Sequence, residues 1–199
     1  MNRLFERILS WARVRPDEAA LVHGGAVFHT WAELVTAVGA RAEGLREAGV
    51  GPEVRVLLHR DPGPDWVVDA LATWAAGGAI VPVDPALPAR RKNDLASQAG
   101  AHVCLGLPIG VHGCVPGDGP PAPLRPPPRD PARLAWLIFS SGSTGAPKGV
   151  LVTCGNAVDV FAAQVEALAL GPGDRCAWLL SPGVDASLSD VGVALFAGA

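Results

Sequence analysis

Charge of one sign, closely spaced cysteines and long apolar runs are all missing from this chain of 199 residues. Lys and Arg number 16 against 19 Asp and Glu, a formal net charge of −3. That balance provides no basic footprint for nucleic acid and no polybasic signal for a membrane surface. The four cysteines stand at 104, 114, 154 and 176. None forms a close pair of the kind a zinc site uses, and four are too few for a disulfide scaffold. A reducing, cytoplasmic setting is the corresponding expectation. No apolar stretch reaches the 18 residues of a membrane-spanning helix. The N-terminal MNRLFERILSWARVRP carries Arg3 and Arg7 but no uninterrupted apolar segment, so it does not read as a signal peptide.

What is present is a globular composition. Hydrophobic residues make up 49% and charged residues 18%, which excludes a wholly disordered chain. The length suits about one domain and buries roughly 70% of the unfolded surface. There are 24 Gly and 19 Pro, high for a globular protein but short of low complexity throughout.

Periodicity sets the element order. Leu4, Phe5, Ile8, Leu9, Trp11 and Ala12 share one face of an amphipathic helix. The runs 19–23 and 26–30, joined by Gly24-Gly25, read as a hairpin. Thr30 and Glu33 have the spacing of a capping box, opening a helix from Trp31 to about Ala48. Strands follow at 54–59, 79–84 and 101–106, with helices at 64–77 and 88–100 between them. This alternation predicts an α/β fold with mainly parallel strands flanked by helices. Pro82 places the 79–84 strand near an edge or an end. Residues 107–131 hold nine Pro and four Gly, including RPPPRDP at 125–131, and read as a surface connector. Beyond it come strands at 133–140, 149–153 and 176–181 and helices at 156–170 and from 187 onward. The last helix stops with the chain, which suggests one incomplete unit over 1–199 rather than a finished domain.

The chemistry lies in Ser140-Ser141-Gly142-Ser143-Thr144-Gly145-Ala146-Pro147-Lys148-Gly149. Glycine frees the backbone for close approach to a ligand, and successive N–H groups then form an anion-binding nest. Ser141, Ser143 and Thr144 add hydroxyl donors, and Lys148 adds a cation suited to a polyphosphate. A flexible Gly/Ser loop with a solvated lysine is the plain alternative. An apolar strand before the loop and another directly after it argue for a triphosphate cradle. The Walker loop, G-x-x-x-x-G-K-[ST], does not fit: the sixth residue from Gly142 is Pro147, Gly149 follows Lys148, and the next element is a strand.

The segment SSGSTGAPKGV (140–150) resembles the phosphate-loop signature of the adenylate-forming (AMP-binding) superfamily. Three further segments agree in order and spacing: FHTWAEL (28–34), WAAGGAIVPVDPALPARR (74–91) and VDASLSDVGVALFAGA (184–199). The second and third are most similar to amino-acid adenylation domains of nonribosomal peptide synthetases, with Val184 where those have Phe. The resemblance implies a two-step reaction. A carboxylate displaces pyrophosphate from ATP to give an acyl-adenylate, and the acyl group then moves to a carrier-protein pantetheine thiol or to CoA. It implies ATP and Mg²⁺ as cofactors, with Ser141, Gly142, Ser143, Thr144, Gly145 and Lys148 on the β- and γ-phosphates. It also implies that Asp185 pairs with the α-ammonium of an amino-acid substrate. A helix-capping role is the alternative for Asp185.

Several departures qualify the likeness. Cys154 or Gly155 stands where the family usually has His. Cys154 is not read as a nucleophile, because no His follows it. The other three cysteines read as packing residues, and the five histidines as structural or surface residues without ligand spacing. The chain has no Tyr and so lacks the family's Tyr-Gly-Pro-Thr-Glu segment, along with the ribose-binding Asp and the C-terminal lid with its Lys. The expectation is therefore an N-terminal part of the large subdomain, stand-alone or loading-type, with no complete catalytic set and no adenylation by itself. The rival readings are an acyl-CoA or aryl-acid ligase of the same superfamily, and a non-catalytic remnant or half of a split protein.

Overall fold

The computed structural model describes residues 1–106, 122–127, 129–140 and 147–199. Its first helix, α1 (Asn2–Val14), buries Leu4, Phe5 and Ile8. The hairpin β1 (Ala19–His23) and β2 (Ala26–Thr30) forms a separate antiparallel pair. It leads into α2 (Trp31–Glu47), where Thr30 Oγ1 accepts from the Glu33 backbone and Glu33 accepts from the Thr30 backbone.

This reciprocal cap holds the Glu33 carboxyl below its ordinary value of 4.5, chiefly through the Thr30 backbone hydrogen bond. A carboxyl lowered in the folded state stabilises fully above its unfolded value and loses that contribution as pH falls through the folded one. Glu33→Ala is therefore expected to lower the melting temperature at pH 7. The deficit should shrink on acidification below about 4.5, as thermal melts across that range would register.

A five-stranded sheet follows in the order β5-β3-β4-β6-β7, from β3 (Arg55–His59), β4 (Ala79–Pro82), β5 (Val103–Gly106), β6 (Leu134–Ser140) and β7 (Lys148–Thr153). The first four strands in that order pair in parallel, and β7 runs antiparallel to β6. Pro82 closes β4, which lies in the middle of the sheet, so its missing N–H sits at a strand end.

Alternate residues of the strands face two cores. Val56, Leu58, Ile80, Trp136 and Ile138 point to one side, with α1, α2, α3 (Pro64–Ala76), α5 (Cys154–Ala167) and α6 (Asp185–Ala197). Leu57, Val81, Cys104 and Leu137 point to the other, against Ala96 and Ala99 of α4 (Ala89–Ala99). Helix α3 is buried over Trp66–Ala76, including Asp69, whose carboxylate receives Arg41 of α2 and, at 2.9 Å, Arg60 Nε. Helices α5 and α6 touch where Gly192 meets the Phe161 ring, which a Cβ would overlap.

Two expectations need correction. Residues 176–181 form no strand. A strand requires a neighbour to pair its backbone, and the described residues offer this run none: Leu179 is 86% exposed. Cys176 is also exposed rather than packed. Most of the 107–131 connector lies outside the described residues, with Cys114 and His112 in it. The part over 122–127 has no regular structure, yet it is seated on α2. Leu124 is buried, the Arg125 carbonyl accepts from Arg46, and a Cβ on Gly39 would come 2.9 Å from the Leu124 nitrogen.

Candidate functional site

Strand β6 carries both candidate sites. At its end Ser140 pairs with Lys148 of β7, and Ser140 Oγ donates to the Lys148 carbonyl at 3.4 Å. The intervening 141–147 thus closes an antiparallel hairpin, and the element after it is a strand, unlike a Walker loop. Ser141, Gly142, Ser143, Thr144 and Gly145 lie outside the described residues. Lys148 is exposed at the loop's exit and has no ion-pair partner among the described residues. A lone cation there, beside a run of hydroxyl and backbone donors in sequence, suits phosphate oxygens.

Four residues earlier in β6, the buried Trp136 donates its indole N–H to Asp185 Oδ1 at 3.1 Å. Asp185 is exposed in the first turn of α6; the helix N-cap is Val184, and no side chain closes that cap. The capping alternative for Asp185 therefore has no hydrogen bond behind it. The approach to α6 is pinned to the sheet. Ser181 Oγ donates to Asp84 Oδ2 at 2.8 Å, Asp84 Oδ1 accepts from the Ala86 backbone, and Trp178 donates to Ser187 Oγ. Asp84, from the VPVDP run, and Trp136 are positioning residues that sequence spacing did not single out. Asp84 left a trace in its motif, whereas the Trp136–Asp185 contact spans 49 positions and left none.

Other candidates carry less. Cys154 is buried at the start of α5, with Sγ directed to the Leu134 carbonyl. A cavity of about 890 Å³ is lined by the hairpin, Pro62–Pro64, 173–178 and the far end of α6, and it includes neither Lys148 nor Asp185. Within it, burial pushes the Cys176 thiol up, with Asp174 and Asp190 adding to the effect, and burial also raises Asp190. A thiol kept protonated is a poor nucleophile. Among the described residues, no three His, Cys, Asp or Glu gather as a metal site, and no helix is long and apolar enough to cross a membrane.

The geometry has close counterparts. A family model described as "AMP-binding enzyme" matches residues 8–199. CymA of Salinispora arenicola, a non-canonical nonribosomal peptide synthetase by its name, is 36% identical over 98% of this chain and 2% of its own length. Chondramide synthase cmdD of Chondromyces crocatus is 34% identical over 93% of this chain and 5% of its own length. A crystal structure of the peptide synthetase FmoA3 with AMPPNP superposes with a TM-score of 0.86 and 31% identity, covering 98% of this chain and 22% of FmoA3. This chain thus spans a small fraction of each of these proteins.

Proposed function

Because the chain belongs to the AMP-binding enzyme family, we propose that it forms part of a site that activates an amino-acid carboxylate as its adenylate. The observation that carries this reading is that one strand, β6, leads into the phosphate-type loop and also holds the carboxylate of Asp185. Ser141, Gly142, Ser143, Thr144, Gly145 and Lys148 hold the β- and γ-phosphates of ATP. Asp185 receives the substrate's α-ammonium, which needs a carboxylate partner once it leaves water. The substrate carboxylate oxygen attacks the α-phosphorus and pyrophosphate departs. Loop donors and Lys148 stabilise the charge that builds on the leaving group. Mg²⁺ arrives with ATP and neutralises part of the same charge. A carrier-protein pantetheine thiol then attacks the acyl carbon and AMP leaves. The FmoA3 structures, one with AMPPNP and one with α-methyl-L-serine-AMP, support this choice of ligands.

Residues 1–199 supply the N-terminal part of the large subdomain, with 107–131 as a connector inside it. This 199-residue chain covers 51% of an isolated N-terminal subdomain of similar fold, and by itself it does not adenylate. The setting is cytoplasmic.

Pyrophosphate exchange, with a panel of amino acids and the full-length native protein, tests the reading. Lys148→Ala should raise the KM for ATP about tenfold, the size of one charge-assisted contact, and leave the amino-acid KM in place. An unchanged ATP KM would remove Lys148 from the phosphate site. Exchange by the 199-residue chain alone would overturn its assignment as an inactive part.

A further inference from the structure

We infer that Trp136 is a positioning residue for substrate selection: its indole N–H holds Asp185 Oδ1 and leaves Oδ2 to receive the ammonium. The inference rests on the reading of Asp185 as the ammonium partner.

The donor is rigid. Trp136 is 4% exposed, and its ring stacks on Phe161 of α5 and lies tilted against Trp74 of α3. Trp74 is itself fixed by donating to the Ala135 carbonyl at 2.8 Å. A buried indole N–H needs an acceptor. Trp74 satisfies that need with a neighbouring backbone carbonyl, whereas Trp136 reaches a carboxylate on another element.

The acceptor is the opposite kind of group. Asp185 is exposed, and a solvated aspartate samples several rotamers. One charge-assisted bond from an immobile donor fixes its rotamer before substrate arrives. Oδ2 makes no hydrogen bond among the described residues, so one lone-pair set remains for a cation. Removing the donor would return the ordering cost to the binding step.

Kinetics of the full-length native protein test this. Trp136→Phe keeps an aromatic ring in the core and deletes the donor. The expected result is an amino-acid KM about tenfold higher with the ATP KM unchanged, and less than a twofold further change when the substitution is added to Asp185→Asn. Because β6 also feeds the phosphate loop, a merely structural disturbance would move both KM values together. Equal shifts, or no shift, would overturn the positioning role. If Asp185→Asn alone leaves the amino-acid KM in place, the ammonium reading falls, and the positioning role with it. That outcome is scored on Asp185 and is distinct from a failure confined to Trp136. Should phenylalanine leave too large a void for folding, β-(3-benzothienyl)alanine at position 136 keeps the indole shape without the N–H. The same KM split is expected from it.

Discussion

Asp185→Ala should lower kcat/KM for the amino acid at least a hundredfold and leave the KM for ATP nearly unchanged. A substrate ammonium that enters a partly dry pocket loses hydration, and only a carboxylate partner offsets the loss. Truncating one member of such a pair costs about 2–5 kcal/mol, much of it from stranding the other charge. The fold should feel the change far less. No cap hydrogen bond is lost, because Asp185 makes none. The favourable interaction of a first-turn carboxylate with the helix dipole is about 0.3–1 kcal/mol. Trp136 loses its acceptor, a further cost of about 1–3 kcal/mol. Exchange assays and thermal melts on the same preparation separate these effects. Wild-type exchange by Asp185→Ala would end the amino-acid reading and favour a substrate acid without an ammonium.

Asp69→Ala should destabilise the protein by about 3–5 kcal/mol, the usual result of breaking a buried ion pair from one side. In a chain of this size that corresponds to a melting temperature lower by on the order of 10 °C. The cause is what remains. Arg41, on α2, and Arg60, after β3, would face a methyl group where a carboxylate had been. Burial pushes the Asp69 carboxyl up from its ordinary value, while the two guanidinium groups pull it down. The carboxylate is thus not held for a net electrostatic gain. Replacing Asp69 and Arg41 together with Leu and Met should consequently cost less than Asp69→Ala alone. Thermal or urea melts of the three proteins decide it, and a double variant less stable than Asp69→Ala would contradict the argument.

Much of the fold was legible because its signals are local. The hairpin over 19–30 needed only two apolar runs and two glycines, and the start of α2 needed only Thr30 and Glu33. The 176–181 run shows the limit. Its side chains suit a strand, but a strand exists only where another backbone pairs with it, and no local pattern encodes that partner. The candidate site divides in the same way. The phosphate-type loop and Asp185 could be read from residue types at fixed spacing. The indole that holds Asp185 could not, since a Trp in an apolar strand looks like any other core residue. The seating of 122–127 on α2 was hidden too, because Gly39 inside a helix gives no sign of which segment will cross it.

The packing of α1 against α6 has a consequence for how the protein is made. Arg7 donates to the Phe196 carbonyl and lies over the Phe196 ring, and Arg15 donates to the Gly198 carbonyl. Synthesis proceeds at about 5–20 residues per second, so the first helix waits some 10–40 seconds for these partners to leave the ribosome. During that interval α2 can cover part of its apolar face, but the arginine contacts cannot form. Nascent chains halted before residue 196 should therefore be more open to proteolysis around α1 than released ones, and more dependent on chaperones that recognise short apolar helices.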